Sequence, residues 1–261
     1  CTVIDNPDLE RAAARLGNDV TARLRPALRG LHPRPQTEDY AAFLVTDLEN
    51  APSAEDLLTE HGTDIARLLR GEKRALSAQE QTTVLQHRLS YLADDLFVPT
   101  WNGAFIYDTP AGAQAALEIV EFANSQLLQF RAYDDRLNDE LTVIYGSLQR
   151  PRWYDQWIGQ RYTRAARHIH ALFVDVTEVT DRTANALKFT GDIYAARLFN
   201  LVADRLGLST WKADVEGKLK TLDAIYDFAV EQSSMARGHL LEVLVVFILV
   251  FELGMALFGR H

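Results

Sequence analysis

Residues 240–258 (LLEVLVVFILVFELGMALF) constrain this chain more than any other stretch. Fourteen of the nineteen are Leu, Ile, Val or Phe, and no Lys, Arg, Pro or Asn interrupts them. As a helix rising about 1.5 Å per residue the segment would cover roughly 28 Å, close to a bilayer's hydrocarbon thickness. The sequence therefore predicts one C-terminal transmembrane helix over 239–261. Two acids fall within it, Glu242 and Glu252. Fourteen apolar residues give on the order of −6 kcal/mol on an insertion scale, against roughly 2.5–3.5 kcal/mol for an acid near the centre. Insertion is favoured, and the two carboxyls lie about 80° apart around the helix, on one broad side. Glu252 reads most simply as protonated or hydrogen-bonded between identical anchors. An ion or proton path would need more acids or helices than one span supplies.

Composition limits the partners. The chain has 261 residues, 48% of them hydrophobic, enough for one large domain or two small ones. A net charge of −9 argues against broad binding to nucleic acid, and no direct DNA binding is expected. The single cysteine, Cys1, excludes an internal disulfide framework. A first residue other than Met points to a missing upstream segment. A mature lipoprotein also begins on Cys, but Thr2-Val3-Ile4-Asp5 before Pro7 reads as the middle of a domain. No secretory signal is visible. The basic residues, 22 Arg against 5 Lys, hint at a GC-rich bacterial source.

Periodicity organises the rest. Asn6-Pro7 opens a helix with Leu9, Ala13, Leu16 and Val20 on one stripe. Pro26, Gly30, Pro33 and Pro35 mark a loop, and Tyr40–Leu48 reads as a buried strand. Ser53 caps a helix with Leu57, Leu58, Ile65, Leu68 and Leu69 inside, and Ser77 with Glu80 forms a capping box for the next. Leu96–Val98 and Ala104–Tyr107 are short strands around Asn102-Gly103. From Thr109-Pro110 a long helix places Ala113, Ala116, Val120, Ala123, Leu127, Phe130, Asp134, Leu137, Leu141, Ile144 and Leu148 on one face. Ten of these eleven are apolar over five heptads, the pattern of a coiled coil or bundle. Asp134 reads as a polar register-setting residue or a pair with a neighbouring Arg. Arg131, Arg136 and Asp135 read as solvated pairs on the outer face. A further helical region ends at Gly207, and Ser209 caps a helix with Val215, Leu219, Leu222, Tyr226 and Ala229 inside.

Chemistry leaves few marks. The sequence has no phosphate-cradling glycine loop and no G-x-S-x-G elbow. His168 and His170, beside Asp175 and Glu178, point about 200° apart on a helix and so do not share one ion readily. Asp94-Asp95, just before a strand, reads as a helix stop and turn rather than as a catalytic dyad. Trp101 and Tyr107, with Asp108 and Arg88, could line a pocket, although alternating strand aromatics are more often core. No catalytic residue, cofactor or metal is assigned.

The run Lys218-Leu219-Lys220-x-Leu222, leading through Arg237 to Leu241-Glu242 and on to Glu252-Leu253, resembles the end of the required-for-meiotic-nuclear-division (Sad1-interacting-factor) family. Ser90-Tyr91, Asp94-Asp95-Leu96 and Trp101-Asn102-Gly103-Ala104 look similar to bacterial members described as membrane proteins. The resemblance implies a homo-oligomer, and for eukaryotic members a mitochondrial inner-membrane location, with support of translation through ribosome or RNA contact. It supplies no catalytic residues.

The expected fold class is α+β: a small mixed α/β head (1–108), a long helical coiled-coil or bundle region (109–238) and one transmembrane anchor (239–261). The expected function is a membrane-tethered homo-oligomeric scaffold, with its head in the cytoplasm and with lipid and further copies of itself as partners. Glu242, Glu252, Arg237 and Asp134 are its oligomer and membrane residues. The rival expectations are a ligand-binding or enzymatic head using Arg88, Trp101, Tyr107 and Asp108, and an oligomeric channel subunit.

Overall fold

The computed structural model describes residues 7–27, 36–50, 52–148 and 193–227, with single positions at 174, 245, 246 and 248. The described elements are α1 (Pro7–Leu24), β1 (Ala41–Val45), α2 (Ala54–Arg70), α3 (Ala78–Leu85), β2 (Leu96–Pro99), β3 (Gly103–Tyr107), α4 (Pro110–Leu148), α5 (Ile193–Leu206) and α6 (208–227). The chain divides into two compact units: Cys1–Ala132 with Asn185–Trp211, and Tyr133–Ala184 with Lys212–His261.

The first unit is built on a three-stranded mixed sheet of order β1-β3-β2. β1 lies parallel to β3, with Ala41 opposite Gly103 and Val45 opposite Tyr107. β2 returns antiparallel to β3, with Leu96 opposite Tyr107. Alternation along the strands sends Leu96, Val98, Phe105 and Tyr107 to one face, where they join Leu57, Ile65 and Leu69 of α2 and Val84 of α3 in one cluster. Phe97, Ala104 and Ile106 alternate to the other face and are buried as well. α5 packs against β2, and its Leu198, Phe199 and Val202 are buried outside the α2–α3 cluster. Both faces of the sheet are thus covered, which explains why β2 and β3 are buried at every position.

Local chemistry sets the helix ends. Ser53 accepts from the Asp56 amide and Asp56 reaches back, a complete capping box, while Gly71 ends α2 in the left-handed region at φ 63°. Ser77 caps α3 by accepting from Glu80 N at 3.2 Å. The Glu80 carboxylate does not complete that box, because Arg70 Nε donates to it at 2.7 Å instead. Gly207 stops α5 at φ 65°.

In the second unit, Leu137 of α4 and Val215, Leu219, Leu222 and Tyr226 of α6 are buried. Asp134 interrupts the apolar stripe at the same level. Lys218 Nζ donates to its Oδ1 at 2.5 Å, and Asn138 Nδ2 donates to Oδ2 at 3.1 Å. The partner is a lysine 84 residues away along the chain.

The expected fold class needs correction. The chain is a mixed α/β protein with a small sheet, and α5, which falls in the region expected to be a helical stalk, packs on that sheet. The stripe Ala113, Ala116, Val120, Ala123, Leu127 and Phe130 is buried within the single chain. Heptad spacing reports that a helix face is covered and says nothing of what covers it. The single-pass anchor is corrected too, since among the described residues no helix is long and apolar enough to cross a membrane. α4 has the length, 39 residues, but carries Arg131, Asp134, Asp135 and Arg136 within two turns. The membrane location and the cytoplasmic head rested on that anchor and are corrected with it. Arg237, Glu242 and Glu252 lie outside the described residues, as do His168, His170, Asp175 and Glu178.

Candidate functional site

The four residues expected to share a pocket have separate surroundings. Tyr107 is a core residue at the end of β3, and its hydroxyl donates to Pro52 O at 3.1 Å. Asp108 follows it and serves the start of α4: its Oδ1 accepts from Thr109 N at 2.6 Å. Thr109 Oγ1 in turn accepts from Gly112 N at 3.2 Å, capping the helix. A Cβ on Gly112 would collide with the Asp108 carboxylate. Trp101 is exposed at the tip of the β2–β3 hairpin. Arg88 is exposed and donates to Leu85 O at 2.8 Å. Among the described residues no hydrogen bond or ring contact joins any two of the four.

A polar junction forms instead where the segment before β1 meets the hairpin, α4 and the end of α5. The Tyr40 hydroxyl donates towards Gly103 O at 2.9 Å and Thr100 O at 3.2 Å. Gly103 O also accepts from Thr100 N at 2.7 Å and Thr100 Oγ1 at 2.9 Å, and Ala41 N donates to Asn102 O at 3.1 Å. Gly103 must be glycine here, because a Cβ would stand 2.8 Å from Ala41 O. Two residues before Tyr40, Glu38 accepts a hydrogen bond from Arg131 of α4. The Arg131 guanidinium carbon lies 5.4 Å from the centroid of the Trp211 ring, a cation–π contact. The Gly207 turn brings Trp211 there, with Gly207 O accepting from Thr210 N and Trp211 N, each at 3.1 Å. Arg205, in the last turn of α5, places its charge near Tyr40.

Burial pushes the Tyr40 hydroxyl well above its ordinary value of 10.0, and the charge of Arg205 only partly offsets this. The folded state therefore holds the proton more tightly than the unfolded chain does. The resulting stability is complete below pH 10 and is lost as pH rises from there through the folded-state value. Tyr40→Phe is expected to lose about 1 kcal/mol at neutral pH, where the hydroxyl bonds are made. Above pH 10 the variant should fall less steeply than the wild type, as read by urea denaturation across that range. Parallel pH curves would mean that Tyr40 is not enclosed.

A second feature lies between α3 and β2. Asp95 is only 5% exposed, and its carboxylate accepts from Tyr91 N at 2.8 Å and Leu92 N at 2.7 Å. Ser90 Oγ donates towards Asp95 O at 2.6 Å and Leu92 O at 2.8 Å, and Ala54 N donates to Ala93 O at 2.7 Å. The loop is thereby fixed with two apolar side chains pointing outward: Tyr91 is 64% exposed and Leu92 61%. The Tyr91 ring lies 5.2 Å from that of Tyr194, next to Ile193, which is 76% exposed.

Reading the sequence missed Glu38, Tyr40, Arg205 and Trp211 and placed Arg131 on a solvated face. Helical spacing puts Arg131 outside the apolar stripe but cannot supply an acid 93 residues earlier in the chain. The Asp94-Asp95 pair did mark a turn, and Asp95 closes it.

The sequence matches the family model described as the N-terminal domain of uncharacterized protein MJ0711 over residues 2–114. That range takes in the whole sheet and α1 to α3. The chain is 21% identical over 221 residues to uncharacterized protein MJ0711 of Methanocaldococcus jannaschii, an alignment covering 84% of this chain and 66% of that protein. The chain thus spans just under two thirds of that relative's length. No solved structure matches. These findings correct the resemblance to the meiotic-nuclear-division family and the expectation of a bacterial relative, for neither match is to that family and the relative is archaeal. Short apolar and charged runs of the kind quoted for that resemblance recur in many helical proteins, whereas the match over 2–114 spans a whole sheet with its helices. The likeness that the chain carries is to the MJ0711 protein and its N-terminal domain.

Proposed function

We propose that this protein is a homo-oligomeric scaffold whose copies meet through the patch formed by Tyr91, Leu92, Ile193 and Tyr194. The observation that carries this reading is the hydrogen-bonded loop that holds Tyr91 and Leu92 out into solvent. An aromatic and an aliphatic side chain fixed in advance lose little conformational entropy on docking. Tyr is also among the residues that dominate interface energetics. None of the four side chains is charged, so the same patch on a second copy meets it without like-charge repulsion, as a two-fold contact requires. Stable interfaces bury on the order of 800 Å² per partner, more than four side chains supply, so a weak and reversible contact is expected.

Sedimentation equilibrium of the full chain over a wide concentration range tests the proposal. The wild type should associate, and Tyr91→Glu combined with Leu92→Glu should be monomeric with an unchanged circular dichroism spectrum. A wild type that stays monomeric at about a hundred times micromolar concentration removes the scaffold reading. Association that survives the double substitution moves the contact elsewhere.

A further inference from the structure

We propose that the outer edge of β1 is a docking site for an extended peptide segment with basic residues at its two ends, which joins the sheet as a further strand. The sheet order β1-β3-β2 leaves β1 at one edge. Its ladder to β3 uses alternate residues: Ala41 N donates to Asn102 O at 3.1 Å, and Val45 O accepts from Asp108 N at 3.2 Å. The N–H and C=O of one strand residue point the same way across the sheet, so those of Ala42 and Leu44 point away from β3. Among the described residues they meet no donor or acceptor. Leu44 is 43% exposed.

The opposite edge of the sheet is closed. There Leu89 exchanges two backbone hydrogen bonds with Phe97 of β2, at 2.9 and 2.8 Å. β1 has no such neighbour among the described residues. It also lacks, within the strand, the devices that usually blunt an edge: it holds no Lys and no Pro, and its register with β3 runs without a bulge. The strand is already seated, since Phe43 and Val45 pack on the α2–α3 cluster. An incoming backbone therefore meets a fixed row of donors and acceptors, with little left to order on this side.

Charge selects the occupant. Asp39 and Asp47 flank β1, with Glu49 just beyond, and all three are exposed. Among the described residues none of them pairs with a cation, whereas Glu38 is held by Arg131. A second copy is a poor occupant. The antiparallel register that bonds both Ala42 and Leu44 is centred on Phe43, and it sets the Asp39 of each copy opposite the Asp47 of the other. The same two carboxylates favour a strand with Lys or Arg at each end. Tyr91 and Leu92 take no part in this contact, so it stands apart from self-association.

The probe is a peptide of about nine residues, alternating Thr and Val between two terminal arginines, titrated into the full chain while backbone amides are followed by NMR. Saturable binding is expected, with hydrogen exchange at the Ala42 and Leu44 amides slowed about tenfold or more. The same peptide ending in glutamates should bind about tenfold more weakly, and so should the arginine peptide to a chain carrying Asp39→Asn and Asp47→Asn. Leu44→Pro removes an outward N–H while sparing the ladder to β3, and should abolish binding with an unchanged circular dichroism spectrum. The peptide should bind equally well to the chain carrying Tyr91→Glu and Leu92→Glu, which separates this outcome from self-association. No saturation below about millimolar peptide overturns the proposal. So does equal binding of the arginine and glutamate peptides, or binding that leaves the Ala42 and Leu44 amides unprotected. Should Leu44→Pro instead weaken self-association in the absence of peptide, a second copy occupies the edge and the proposal is likewise overturned. The wild-type titration and the Asn variant decide the matter even if the Pro variant does not fold.

Discussion

Phe97→Ala is expected to destabilise the first unit by about 3–5 kcal/mol, towards the upper end of that range. Phe97 is 1% exposed and lies on the sheet face opposite the α2–α3 cluster. Its backbone is held on both sides: Phe97 N donates to Leu89 O at 2.8 Å, Leu89 N donates to Phe97 O at 2.9 Å, and Ile106 pairs with it across β3. A strand fixed in this way cannot sink into the space that the ring leaves, so the cavity persists. α5, which packs against β2, borders that space. Hydrogen exchange should therefore show amides of α5 around Leu198 and Val202 opening before those of α2. Urea denaturation gives the magnitude. A loss below about 1 kcal/mol would mean that this face of the sheet is poorly covered.

Asp95→Ala should have the next largest effect, and it links stability to the proposed function. The substitution removes the acceptor of two backbone N–H groups, at 2.8 and 2.7 Å. Hydrogen bonds to a charged group contribute about 1.5–3 kcal/mol each, but water can replace part of this for the exposed Tyr91 and Leu92, leaving a net loss of about 2–3 kcal/mol. Asp95→Asn keeps one oxygen acceptor and should lose about half as much. Both variants retain Tyr91 and Leu92, yet self-association should weaken about tenfold or more in Asp95→Ala. The loop must then be ordered at the moment of docking, and every 1.4 kcal/mol is about a factor of ten. Equal affinity in Asp95→Ala and wild type would show that the loop's fixed shape contributes nothing to assembly.

Much of the secondary structure could be read from the residues because its causes are local. Ser53 and Ser77 cap helices through contacts three residues on, Gly207 ends one through its own backbone angle, and the hairpin around Asn102-Gly103 joins neighbouring strands. The α4 stripe was equally plain, since a covered helix face imposes its own spacing. What misled the reading was the step from spacing to partner. A stripe of Ala, Val and Leu has the same period whether a second copy or the same chain covers it. Asp134 illustrates this, for its partner Lys218 carries no local signal.

The sequence by itself determined the helix caps at Ser53 and Ser77, the stop at Gly207 and which element faces are apolar, because those depend on groups within a few residues of one another. Only the tertiary structure decided that β1 runs parallel to β3, that α5 covers the sheet, and that Arg131 joins Glu38 to Trp211 while the charge of Arg205 acts on Tyr40. The physical reason is that pairing between distant segments is chosen by whole faces fitting together. A charged side chain such as Arg131 or Arg205 looks the same in the sequence whether it ends in water, on a carboxylate or against a ring.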